Sequence, residues 1–162
     1  MSKITPCLWF DNQAEEAAKL YTGIFKNSRI METSYYLDAD QEIHGGKPGA
    51  VLTVAFELEG QSFTALNGGP LFKFSEAISL QVDVRSQEEF DYYWDRLNEG
   101  GDPNAQQCGW LKDKFGVSWQ IVPRRLIEMI MDQDKAKANR AMAAMMQMKK
   151  LDIAALEAAY AG

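Results

Sequence analysis

One histidine and two cysteines are all the imidazole and thiol that this chain of 162 residues contains. That scarcity works against a site built from several imidazoles or thiolates, the donors that zinc and most transition ions prefer. Cys7 and Cys108 form no C-x-x-C pair and follow no secretory leader, so both are expected as reduced thiols in a cytoplasmic protein. Long apolar runs are missing as well. The longest are strand-length, far short of the roughly 20 residues that cross a bilayer, which excludes a membrane-spanning segment from the expectation. Nor is there a stripe of Lys or Arg. With 17 basic and 23 acidic side chains the net charge is −6, a field that repels phosphate backbones and argues against nucleic acid as a partner.

What is present is patterned. The length suits one domain, 1–162, with a core that needs no disulfide staples. Residues 4–10 read as an apolar strand, after which Ala14, Ala17, Ala18, Tyr21, Ile24 and Phe25 share one face of a helix. Asn12 is placed to cap that helix, and Glu15 and Glu16 suit its positive end. Residues 30–37 and 51–59 read as strands joined by a polar, Gly-rich loop. A turn at Gly60 and Gln61 leads to a strand over 63–67, and Gly68, Gly69 and Pro70 end the unit. The same grammar restarts at Ile78. Leu80, Val82 and Val84 alternate with Ser79, Gln81 and Asp83, and Ser86 with Glu89 forms a capping box. Phe90, Tyr93, Trp94 and Leu97 line the second helix, Gly100 and Gly101 stop it, and short strands follow over 108–112 and 117–123.

Setting Phe10 against Val84 and Asn12 against Ser86 brings the two halves into agreement, which marks an internal repeat: 1–70 a first βαβββ module, 77–123 a second, shortened one. The cleft between two such halves is the default place for a ligand. From residue 124 the chain becomes a helical arm, 124–162, rich in Ala and Met. Asp152 caps its last helix, and the cluster Met142, Met145, Met146 and Met148 suits a core or a subunit contact better than a soft ligand surface.

Two runs carry a family resemblance: Pro6-Cys-Leu-Trp-Phe10 followed by Ala14-Glu-Glu-Ala-Ala-Lys-Leu-Tyr21, and Cys108-Gly-Trp-Leu-Lys-Asp-Lys-Phe-Gly-Val-Ser-Trp-Gln-Ile-Val-Pro123. They resemble the PhnB-like branch of the glyoxalase/bleomycin-resistance, or vicinal oxygen chelate, superfamily. The tail Met148-Lys-Lys-Leu-Asp-Ile-Ala-Ala-Leu-Glu157 is similar to the same branch, which extends the resemblance over nearly the whole chain. It implies an α+β fold of paired βαβββ modules with a C-terminal helical extension, usually in a homodimer. The branch also carries the label 3-demethylubiquinone-9 3-methyltransferase. Methyl transfer from S-adenosylmethionine typically uses a Gly-rich strand-to-helix turn, whereas Asp11-Asn12-Gln13 and Arg85-Ser86-Gln87 contain no glycine.

In metal enzymes of the resembled superfamily a divalent ion is held on the first and last strands of each module. Strand alternation and the resemblance place Thr5, Asn67, Ser79 and Gln120 at those positions. Neutral hydroxyls and amides make a poor set for hard and for transition ions, so neither a metal nor a cofactor is expected. The expected ligand-binding residues are Thr5, Cys7, Trp9, Asn67, Ser79, Gln81, Cys108, Trp110 and Gln120, with the tryptophans as stacking surface and Trp119 turned to the core. His44 reads as a solvated loop residue, the Glu57/Glu59 pair as a water-facing edge, and Asp113-Lys-Phe-Gly116 as a β-turn. The two cysteines read as buried and inert. Three functions fit: a metal-independent pocket for a small, partly aromatic molecule; a superfamily enzyme, either a metal-dependent lyase, isomerase or dioxygenase or the methyltransferase of the label; and a scaffold whose arm engages a second subunit.

Overall fold

The computed structural model describes residues 2–40 and 47–162, so the expectation for His44 lies outside the described residues. Elements run β1 (Cys7–Phe10), α1 (Ala14–Ile24), β2 (Arg29–Tyr35), β3 (Val51–Leu58), β4 (Gln61–Asn67), β5 (Leu80–Val84), α2 (Gln87–Asn98), β6 (Trp110–Lys112) and β7 (Ser118–Pro123). The arm follows as α3 (Arg124–Ile130), α4 (Lys135–Met146) and α5 (Ile153–Ala161). The α+β class and the glyoxalase/bleomycin-resistance fold are both present. Two units, Met1–Phe74 and Ser75–Gly162, are described in turn.

In the first unit the sheet order is β1-β4-β3-β2, with β1 parallel to β4 and the other pairs antiparallel. The β1–α1 crossover makes the parallel pair, and the short turn between β3 and β4 makes a hairpin. Glu59 and Gly60, with φ of 49° and 83°, close that hairpin one residue earlier than the sequence suggests. Both positions need the left-handed region, which a two-residue type I′ turn demands. One sheet face packs on α1. Leu8, Phe10, Val54, Phe56, Phe63 and Ala65 are buried there against Ala14, Ala17, Ala18 and Tyr21. The alanines are fully covered, so the helix sits low enough for Tyr21 to reach Phe56, ring centres 6.2 Å apart.

Helix α1 starts differently from the expectation. Asn12 is not its cap: the helix opens at Ala14 without a cap from its own neighbourhood, and the Ala14 amide donates to Asn67 Oδ1 at 2.8 Å. The end of β4 lies beside the helix start, so a residue 53 positions away supplies the oxygen.

In the second unit the order is β5-β7-β6, with β5 parallel to β7 and β6 antiparallel to it. Here the local prediction holds. Ser86 Oγ accepts the Glu89 amide at 3.1 Å, and Glu89 Oε2 accepts the Arg85 amide at 3.4 Å. Phe90, Trp94 and Leu97 pack against Val82, Val84, Leu111, Trp119 and Ile121. Asp113 does start the β6–β7 turn, and it does more. It is 3% exposed, takes the Phe115 and Val117 amides on Oδ1, and takes the Trp119 indole N–H on Oδ2 at 2.9 Å. A buried carboxylate with three donors fixes both the turn and the largest core side chain.

The arm is part of this second unit. Leu126, Met129, Ala138, Ala141, Leu151 and Leu156 are buried. The Gln87 side chain donates to the Leu151 carbonyl at 3.0 Å and accepts the Ile153 amide at 2.8 Å, tying α2 to the entry of α5. Asp152 caps α5 as expected, accepting the Ala155 amide at 3.1 Å.

Candidate functional site

Each sheet has one face packed on its helix, and alternation decides which side chains the opposite face carries. In the first unit the register sets Cys7 beside Thr64 and Ala55, and Trp9 beside Leu66 and Thr53. Cys7 and Trp9 keep the parity expected of them, and Thr5 is exposed just ahead of β1, outside the strand. Cys7 is exposed rather than buried, and the part of its surroundings that does cover it pushes its thiol pKa up. The Trp9 ring lies on the Gly68 backbone: a Cβ built at Gly68 would stand 2.4 Å from ring atoms. Its N–H reaches the Gly69 carbonyl at 2.9 Å, and Phe72 meets the ring edge-on at 4.9 Å. Three separate contacts therefore hold the indole in one pose.

Asn67 is not on this face. It pairs with the core residue Phe10 and follows the buried Phe63 and Ala65 by two-residue steps, so its side chain points to the helix. There Oδ1 serves the Ala14 amide, and Nδ2 donates to the Val51 carbonyl at 3.1 Å. The residue that takes its place on the face away from the helix is Leu66, one position earlier. The parity was available in the sequence, because Phe63 and Ala65 are the apolar members of the alternation. Glu57 and Glu59 do not share a face either: Glu59 is in the turn, and Glu57 accepts from Arg29 Nη2 at 2.9 Å.

The second sheet gathers more of the expected residues. Gln81, Gln120 and Trp110 form one row across β5, β7 and β6. Gln120 Nε2 donates to Ser79 Oγ at 2.8 Å. The next row pairs Ser118 with Lys112, whose ammonium meets the Glu76 carboxylate. That contact, first as a hydrogen bond and then as a charge, holds the Glu76 carboxyl below its usual range. Ser118 and Lys112 were not singled out from the sequence. A serine and a lysine on strands carry no motif, and only the register sets them side by side.

Cys108 departs from its expected place. It is not in a strand but in a two-residue turn with Gly109, φ 51° and 83°, between Gln107 and Trp110. Its amide donates to the Met148 carbonyl at 2.8 Å, so it faces the arm and not the row that holds Trp110. It is half-buried, and the reading of both cysteines as fully buried does not hold.

The donor set that the superfamily uses for a divalent ion is not matched. Among the described residues no three His, Cys, Asp or Glu side chains come together. At the four corresponding positions Asn67 has both ends of its amide engaged, Ser79 is bonded to Gln120, and Thr5 and Gln120 are neutral. Hard ions want carboxylate oxygens and softer ones want imidazole or thiolate, so these residues do not fit the metal. Among the described residues, no helix is long and apolar enough to cross a membrane.

Comparison with known proteins agrees with the fold. A PhnB protein from Bacillus cereus carrying the 3-demethylubiquinone-9 3-methyltransferase name is 36% identical, covers 75% of this chain and 99% of its own, and superposes with a TM-score of 0.63. A Pseudomonas aeruginosa protein at 19% identity covers 76% and 98% with a TM-score of 0.56. The genomically encoded fosfomycin resistance protein FosX of Listeria monocytogenes, at 18%, covers 78% and 94% with 0.51. No curated protein matches the chain. The family described as 3-demethylubiquinone-9 3-methyltransferase matches residues 2–122. With that match and the Bacillus relative, the chain belongs to this PhnB-like family of the vicinal oxygen chelate superfamily.

Proposed function

We propose that the protein is a cytoplasmic homodimer that binds a small, partly aromatic organic molecule on the sheet faces away from its helices without a metal ion. The observation that carries this reading is the row Gln81–Gln120–Trp110: two carboxamides in register beside a half-buried indole. Carboxamides both donate and accept, and an indole offers a flat apolar face, the pairing that small-molecule sites use to orient a planar ligand. The fixed indole of Trp9 on the first sheet supports the same chemistry, since a ring that is already immobilised loses little freedom on binding. Exposed Ile30, Met31 and Tyr35 on the edge strand β2 support self-association.

The methyl transfer in the family's description draws no support from the helix starts. The amide ends of both are served by protein side chains, Asn67 and Ser86. A metal-assisted reaction lacks its donors, as set out above. Tryptophan fluorescence titration with a panel of aromatic metabolites, run with and without EDTA, tests the proposal. Saturable quenching with the same Kd in both buffers is expected. Absence of binding across the panel, or an affinity that drops tenfold or more in EDTA, would overturn it.

A further inference from the structure

The second sheet contains an unusual hydroxyl. Ser118 is 2% exposed, and its Oγ has no hydrogen-bond partner, the one such side-chain oxygen or nitrogen among the described residues that are buried. An unpaired buried hydroxyl costs about 1–3 kcal/mol relative to a paired one, so a fold has no structural reason to keep it where alanine would pack. Strand parity sets it on the face away from α2, where it is nonetheless covered: Trp119 and Ile121 are buried with Leu111 against α2, while Ser118 shares the other side of the sheet with Gln120 and Lys112.

Lys112 is the cross-strand neighbour of Ser118, and its ammonium is held by the Glu76 carboxylate. The two ends of that ion pair differ in their surroundings. The Lys112 side chain is 27% exposed and sits on a β-strand, whereas the Glu76 side chain is 63% exposed and lies ahead of β5, outside any regular element. The cation is thus partly sheltered on the sheet, and the anion stands in solvent outside it. Beside them, Trp110 and Gln120 form the adjacent row.

We propose that Lys112 and Ser118 form a carboxylate subsite whose ligand is a small aromatic acid, with Glu76 occupying the subsite until the ligand arrives. The acid's carboxylate replaces that of Glu76 on the ammonium and takes the Ser118 hydroxyl as a second donor, which gives the orphan oxygen its partner. The ring then lies against Trp110, with Gln120 and Gln81 bonding its polar substituents. This rests on the proposed metal-independent ligand face and adds the charge of the ligand and the residues that read it.

Calorimetric titration of the full chain with benzoate and with neutral benzamide tests it. Benzoate is expected to bind more tightly than benzamide. Lys112→Met is expected to weaken benzoate by roughly tenfold or more and leave benzamide unchanged. Glu76→Gln, a change at an exposed side chain, is expected to tighten benzoate by roughly threefold, because the competitor is gone. Ser118→Ala separates a ligand role from a structural one: it should weaken benzoate by roughly fivefold while raising the Tm of the free protein by roughly 2–4 °C. Benzamide binding as tight as benzoate, an unchanged benzoate affinity in Glu76→Gln, or a fall in Tm for Ser118→Ala would each overturn the carboxylate subsite and leave the aromatic-binding reading in place. Failure of both ligands to bind would overturn both.

Discussion

The two helices that follow the first strand of each module occupy equivalent places, yet their starts are built from different atoms. Helix α2 is capped by Ser86, immediately before it in the chain, with Glu89 returning the favour to the Arg85 amide. Helix α1 is capped by Asn67, 53 residues away, at the end of the strand that pairs with β1. One start is satisfied by local chemistry, and the other draws its acceptor from the assembled sheet. A repeat can therefore keep its geometry while the groups that satisfy the backbone come from different levels of structure. The opposite sheet faces differ as well. The first sheet carries Cys7, Trp9, Thr64 and Leu66 on the face away from its helix, and the second carries Gln81, Gln120 and Lys112 there beside the buried Ser118.

The largest break in this comparison comes from Asn67→Ala, which leaves both the Ala14 amide and the Val51 carbonyl without their partner. A loss of about 2–3 kcal/mol is expected, read as a fall in Tm of roughly 5–10 °C. Gly68→Ala comes next. The new methyl meets the Trp9 ring, the indole must leave its pose, and a cost of about 1–3 kcal/mol with a red shift of the Trp9 emission follows, absent in a Trp9→Phe background. Ser86→Ala removes only a local cap and should cost about 1 kcal/mol by urea unfolding. If it proves as damaging as Asn67→Ala, the contrast between local and distant capping is wrong.

The smallest effect is on pH. Hydrogen bonds from Gln87 and then Lys150 lower the Asp91 carboxyl from its ordinary value. A depressed carboxyl stabilises the fold fully above the unfolded value, about 3.9, and that contribution is lost as pH falls below it through the folded value. Because Asp91 and Lys150 are both exposed, solvent screening keeps the contribution small. The Tm of wild type is expected to fall slightly more between pH 5 and pH 3 than that of Asp91→Asn.

Legibility followed the same divide. The strand–helix–strand grammar, the Ser86 box, the Asp152 cap and the core tryptophan at 119 were readable because each depends on neighbours in the chain or on plain alternation. At Asn67 the position that the resemblance implies conflicts with the Phe63–Ala65 parity, which points the side chain to the helix. The turn at Cys108 and Gly109 has only one glycine to signal it, and the carbonyls that receive the amides of both residues come from Met148 and Lys149 in the arm. The Ser118–Lys112–Glu76 group was illegible for a deeper reason, since a buried hydroxyl is visible only when burial and register are both known.

Metal content of protein purified without chelator or affinity tag, measured together with its thermal shift on adding divalent ions or aromatic acids, bears most directly on the metal-independent binding face. The donor set predicts metal far below one ion per chain, no rise in Tm with added manganese or zinc, and a rise with an aromatic acid. One bound ion per chain with a metal-induced rise in Tm would contradict it.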